Sequence, residues 1–106
     1  MYHVLIVDDE ETIVNGMKKI IQWEEMGFSR VDSATSAAEA FELYQKNNYD
    51  VLITDIQMQD MTGLEMISIM QKRHMGVKTV VLSSYNNFDY VKKALQLGIE
   101  NYLLKP

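Results

Sequence analysis

The sequence contains no cysteine, which excludes disulfide frameworks and thiolate metal sites. It also lacks a basic excess: ten Lys and Arg stand against fifteen Asp and Glu, a net charge of −5. Direct nucleic-acid binding needs a positive footprint, so that class is disfavoured. Lys18, Lys19, Lys46, Lys72, Arg73, Lys78, Lys92 and Lys93 are scattered as on solvated helix faces. No apolar run approaches the ~18 residues of a membrane helix, and the start shows no basic-then-apolar signal pattern. Together with the missing cysteines this points to a cytoplasmic protein with no membrane contact. There is no internal repeat, low-complexity tract or interdomain linker. At 106 residues, 47% apolar and 24% charged, the chain reads as a single domain, residues 1–106, and not as a disordered segment or coiled coil.

What is present alternates between two periods. Apolar runs at Val4–Val7, Val51–Ile53, Thr79–Leu82 and Tyr102–Leu104, with a more polar run at Phe28–Ala34, read as strands. Their near-continuous apolarity is that of parallel strands buried on both faces. Between them, Ile13, Val14, Met17, Ile20 and Ile21 form one helical stripe. Ser36-Ala-Ala-Glu39 is a capping box opening a second helix through Ala40, Phe41 and Tyr44. Leu64, Ile67 and Met70 follow Gly63 as a third, and Phe88, Val91, Ala94 and Leu95 form a fourth, stopped by Gly98. Strand–helix repeated four times and closed by a fifth strand predicts a doubly wound α/β fold. The alternation calls for a fifth helix after Leu104. The chain reaches Lys105-Pro106 without one, so a domain truncated after its fifth strand, with a sticky apolar face, is expected.

In open sheets of this type ligands bind beyond the carboxyl ends of the strands, where the strand order reverses. The first strand ends at Asp8-Asp9, the third at Asp55, the fourth at Ser83-Ser84 and the fifth at Lys105. With strand order 2-1-3-4-5, Asp8, Asp9 and Asp55 converge. Clustered carboxylates suit a hard divalent cation such as magnesium, and a carboxylate can attack phosphorus to give an aspartyl-phosphate. Metal, lysine and hydroxyl would then neutralise the transferring group. Each residue alone has a plainer reading. The stretch VLIVDDEE is also a helix start with dipole-favoured acids, Asp55 a turn residue, Ser83 a capping hydroxyl and Lys105 a surface charge.

The set VDDE, ITDIQM, VVLSSY and YLLKP, spread over the whole chain, resembles the receiver domain of two-component response regulators. The resemblance implies a flavodoxin-like fold and a phosphorylation-dependent signalling role rather than an enzyme's. Asp55 would accept a phosphoryl group from a sensor histidine kinase. Magnesium would be held by Asp8 (acting mainly through water), Asp9, Asp55 and the backbone carbonyl of Gln57. Ser83 would hydrogen-bond the phosphoryl group and Lys105 would pair with it, the lysine being placed by a Lys-Pro bond that is commonly cis in the family. Ser83 and Tyr102 would form the switch. QWEEMGF, SSYNNFDYVKKAL and YLLKP are similar to the subgroup of YesN/AraC-type transcriptional regulators. That implies DNA binding only through an effector domain absent from this chain, and makes a homodimer plausible. The family usually has proline where Gln59 stands, which leaves the Ile56-Gln57-Met58-Gln59 loop one more free dihedral and an expected gain in mobility.

Two rivals differ in class. Asp8-Asp9-Glu10-Glu11-Thr12 nearly matches the Asp-x-Asp-x-Thr motif of haloacid-dehalogenase-like phosphatases, which would make Asp8 the nucleophile, but Glu10 replaces the second aspartate. A non-phosphorylated pseudo-receiver used as a binding module would normally lose part of the acid cluster.

Overall fold

The computed structural model describes residues 2–73, 77–83 and 88–104, with the side chains of Phe88 and Leu104 outside that description. Its strands are β1 (Tyr2–Val7), β2 (Phe28–Ala34), β3 (Val51–Thr54), β4 (Lys78–Ser83) and β5 (Asn101–Leu104). They alternate with α1 (Glu11–Ile20), α2 (Ala37–Lys46), α3 (Gly63–Arg73) and α4 (Phe88–Gln96), and a 3₁₀ turn, Glu24–Met26, precedes β2. All strand pairs are parallel and the order is β2-β1-β3-β4-β5, the doubly wound arrangement that the alternation predicts.

The apolar runs form strands because the sheet divides two cores. Leu5, Val7, Leu52 and Val81 face α2, α3 and α4, where Ala40, Tyr44, Leu64, Ile67, Met70 and Ala94 complete the larger core. Val4 and Ile6 point the other way and pack under α1 through Val14, joined by Trp23 from the segment after the helix. Trp23 lies edge-on to Phe28 with ring centres 5.6 Å apart, and its indole N–H donates to the carbonyl of Met17. That closes the end of α1. Val51 and Ile53 are half-buried against this smaller core, while farther along the sheet Val80 and Leu82 are half-buried and Leu103 is exposed. In parallel register these residues share one side of the sheet, so an apolar strip runs along it.

Two residues of the apolar stripes are not buried. Ile20 is 81% exposed and Leu95 68% exposed. Ile20 is the last residue of α1 and lies roughly 120° around the helix from the buried Val14. Leu95 is roughly 100° from Ala94, which holds the buried face of α4. The stop at Gly98 is as expected. Its φ is 73°, its N–H reaches the carbonyl of Leu95 and that of Ile99 reaches Ala94, a Schellman ending. No helix among the described residues is long and apolar enough to cross a membrane.

Candidate functional site

The site begins where the ladder ends. Asp8 N–H donates to the carbonyl of Ala34, the last residue of β2, and Asp55 N–H to that of Val7, the last residue of β1. Each acid therefore leaves the sheet one step past its strand, still held in register. Because β1 and β3 are neighbours, the two carboxylates meet at the carboxyl edge. Asp8, Asp9 and Asp55 each bring an oxygen within 4.8 Å of the others. Asp8 and Asp55 are buried and Asp9 is exposed. Asp8 Oδ1 accepts from Glu10 N–H, and Asp55 Oδ1 accepts from Ile56 N–H at 2.8 Å, so both carboxylates are oriented by backbone. Glu10 stands at the N-cap position of α1 and Glu11 opens the helix, where the dipole favours acids. The four acids divide two and two between the cluster and the helix.

Three carboxylates this close, two of them out of solvent, repel one another unless a cation shares their charge. An all-oxygen donor set with one open side fits a hard divalent ion that keeps some of its water. Thiolate or imidazole metals have no partner in it.

The loop after Asp55 is fixed at several points. Ile56 and Met58 are buried in the larger core, which leaves Gln57 between them at the rim. Thr54 hydroxyl donates to the Asp55 carbonyl at 2.9 Å, and Gly63 N–H to that of Ile56 at 2.6 Å. Asp60 spans the start of α2, with Oδ1 accepting from Ala37 N–H and Oδ2 from Ala38 N–H at 2.9 Å. These bonds, that from Ala38 foremost, hold its carboxyl below the ordinary carboxylate range. Ser36 Oγ accepts from Glu39 N–H, so the first three amides of α2 are all satisfied. Of the Ser36 capping box, the bond seen here is its side chain on Glu39 N–H, while Asp60 takes the amides of Ala37 and Ala38 from another loop.

Ser83 is the last residue of β4 and fully buried. Tyr102, on β5, is partly buried against the larger core beside Val81. Lys105 and Pro106, with Ser84, lie outside the described residues. The structure thus brings Asp8, Asp9 and Asp55 together, sets Ser83 at the same edge of the sheet, and carries Gln57 two residues past Asp55.

Three features escaped the sequence reading. Thr62-Gly-Leu-Glu65 is a capping box, with Glu65 N–H donating to Thr62 Oγ1 and Thr62 Oγ1 donating to the Glu65 carboxylate; its spacing was there to be read. The anchoring of Asp60 on Ala37 and the hydrogen bond from Gln57 Nε2 to Tyr90 Oη, 2.7 Å, join residues far apart in the chain and leave no local signal.

A family model described as "Response regulator receiver domain" matches residues 4–106. The transcriptional regulatory protein YesN of Bacillus subtilis is 40% identical over 106 residues, covering all of this chain and 29% of YesN. HptR of Staphylococcus aureus, also a transcriptional regulatory protein, is 36% identical over all of this chain and 41% of its own length. The chain therefore spans less than half of these curated relatives. Among solved structures, the response regulator TrrA of Thermotoga maritima, in complex with magnesium and beryllium fluoride, superposes with a TM-score of 0.83 at 28% identity, covering 100% of this chain and 88% of that one.

Proposed function

The chain belongs to the response regulator receiver domain family, and from that membership we propose that Asp55 is the residue on which it accepts a phosphoryl group. The observation that carries this reading is the cluster of Asp8, Asp9 and Asp55 at the edge where β1 and β3 lie side by side. The donor would be a phosphohistidine of a sensor histidine kinase. An Asp55 carboxylate oxygen bonds to phosphorus as the P–N bond breaks, and the electron pair leaves with the kinase imidazole. Ile56 N–H orients the attacking carboxylate through Oδ1. Asp8, Asp9, Asp55 and the Gln57 carbonyl would hold magnesium, which when bound neutralises charge on the phosphoryl oxygens. Ser83 hydroxyl would donate to one of those oxygens and Lys105 would pair with another. Ser83 and Tyr102 would then move together as the switch, driven by the new charge-assisted hydrogen bond.

As a signalling domain, the chain would assist only its own phosphorylation and dephosphorylation. It would act in the cytoplasm and pass its state to a DNA-binding output domain in the longer protein, as a homodimer. The apolar strip Val80–Leu82–Leu103 supports a further part of the proposal: a segment of the longer protein covers it, completing the second helical layer.

Magnesium-dependent labelling by acetyl phosphate tests the acceptor. Asp55→Asn is expected to abolish labelling and Asp8→Asn to weaken it. Labelling that survives Asp55→Asn and vanishes in Asp8→Asn would instead favour the phosphatase chemistry, and an unlabelled wild type a pseudo-receiver.

A further inference from the structure

The buried face of α4 turns on a small residue. Among its described side chains Ala94 alone is fully buried, and Leu95 projects into solvent. Side-chain bonds meet it near both ends. Gln71 Nε2 donates to the Leu97 carbonyl just past its carboxyl end at 2.7 Å, and Gln57 Nε2 donates to the hydroxyl of Tyr90 in its first turn at 2.7 Å. The second is unusual in where it starts. Gln57 is two residues past Asp55, and its neighbours Ile56 and Met58 are anchored in the core, so its amide swings from a fixed backbone position at the rim of the site. The other end is also fixed, because Tyr90 is partly buried against the larger core.

A primary amide beside a phosphorylated carboxylate has a definite chemical capability. It can accept from and donate to a water and align it for attack on phosphorus, as glutamines do in nucleotide hydrolysis. We propose that Tyr90 is a positioning residue that restrains this amide: the hydrogen bond parks Gln57 on α4 and so lengthens the life of the phosphorylated state. The inference rests on the reading of Asp55 as acceptor. In the hydrolysis that it slows, a water oxygen bonds to phosphorus, and the bond from phosphorus to the Asp55 oxygen breaks with its electron pair returning to the carboxylate. Inorganic phosphate leaves carrying both protons of the water. Tyr90 touches none of the reacting atoms and acts only through Gln57.

The test is the decay of acetyl-phosphate-labelled chain in magnesium, compared among wild type, Tyr90→Phe, Gln57→Ala and the double variant, with Asp55→Asn as the labelling control. Tyr90→Phe keeps the ring and removes only the hydroxyl. The expected result is a half-life about fivefold shorter, the size of effect that one hydrogen bond of ordinary net strength can hold back. The double variant should decay like Gln57→Ala, since without the amide the hydroxyl has nothing to restrain. An unchanged or longer half-life in Tyr90→Phe overturns the proposal, as does an equal acceleration in the Gln57→Ala background, which would mark Tyr90 as merely structural. Labelling that persists in Asp55→Asn overturns the acceptor reading itself, a failure visible before any decay is measured.

Discussion

A Cβ on Gly63 would lie 1.9 Å from the backbone oxygen of Asp55 and 3.2 Å from the Cα of Ile56. Both neighbours are backbone, so no side-chain rotation relieves the overlap. The first residue of α3 is thereby pressed against the peptide that carries the acceptor, and the Gly63 N–H bond to Ile56 draws it closer still. The helix cannot start here with any larger residue unless the loop 55–62 moves.

Gly63→Ala should therefore destabilise the fold by about 2 kcal/mol or more, as overpacking against fixed groups does, and should depress labelling of Asp55 beyond what lost stability explains. Urea unfolding together with labelling in the folded range checks both. Gly16→Ala is the matching control. Gly16 lies inside α1 with nothing within 4 Å of an added Cβ, so alanine should stabilise by about 0.5–1 kcal/mol with labelling unchanged. A destabilised but normally labelled Gly63→Ala would count against the link between α3 and the acceptor loop.

Much of this site was legible because the sheet is regular. Once Val4–Val7 and Val51–Ile53 read as adjacent parallel strands, Asp8, Asp9 and Asp55 had to emerge side by side. What stayed hidden was what connects one loop to another. Asp60 looks like any turn aspartate, and only the folded chain sets it on the amides of Ala37 and Ala38. Gln57 and Tyr90 lie on different elements with no shared motif. Ile20 and Leu95 belong to apolar stripes and yet face solvent for another reason. A helix of apolar residues shows its period in the sequence, but the rotation of the stripe is set by what the sheet offers, here at Val14 and Ala94. The absent proline at Gln59 suggested a freer loop, yet Ile56, Met58 and Asp60 supply three anchors that composition does not reveal.

The acid cluster predicts a divalent-dependent stability. If the cluster binds magnesium, an ion at ten times its dissociation constant adds about 1.4 kcal/mol to the free energy of unfolding. In chelator, the wild type keeps three mutually repelling carboxylates, whereas Asp8→Asn has two and retains an oxygen to accept from Glu10 N–H. Asp8→Asn should be at least as stable as wild type in chelator and should gain little when magnesium is added. Thermal melts in the two buffers suffice. A variant that loses stability in chelator while keeping the full magnesium gain would sink the electrostatic account.

Asp60 predicts an acid-limb effect. Its folded carboxyl titrates below its ordinary value of 3.8 because Ala38, Ala37 and Met61 N–H groups favour the charged form. A depressed folded value means the stabilisation is present above the ordinary value and fades as pH falls below about 4 towards the folded value. At pH 7, Asp60→Ala should cost about 1 kcal/mol, the usual cost of a lost cap, and the gap from wild type should narrow as the solution is acidified. Urea midpoints at pH 7 and pH 3 measure it, and a gap that widens in acid contradicts the cap.

Tyr49 predicts the opposite limb. Its hydroxyl donates to Asp32 Oδ2 at 2.5 Å, Arg30 holds the same carboxylate at 2.7 Å, and its ring meets Tyr44 edge-on with centres 5.0 Å apart. Burial, and then the hydrogen bond to Asp32, push the phenol well above its ordinary value of 10.0. A raised folded value means that this stabilisation is complete below pH 10 and lost as pH climbs from there toward the folded value, because the unfolded phenol ionises first. Tyr49→Phe should cost about 1.5 kcal/mol near neutrality through the lost charge-assisted bond. Above pH 10 its stability should fall less steeply than that of wild type, so the two curves converge. Tyr44, whose phenol is pushed up first by burial and then by the neighbouring Tyr49, remains in both proteins, so the burial part of its effect cancels from the difference. Parallel curves through that range would mean that Tyr49 is not the group whose ionisation opens this edge of the sheet.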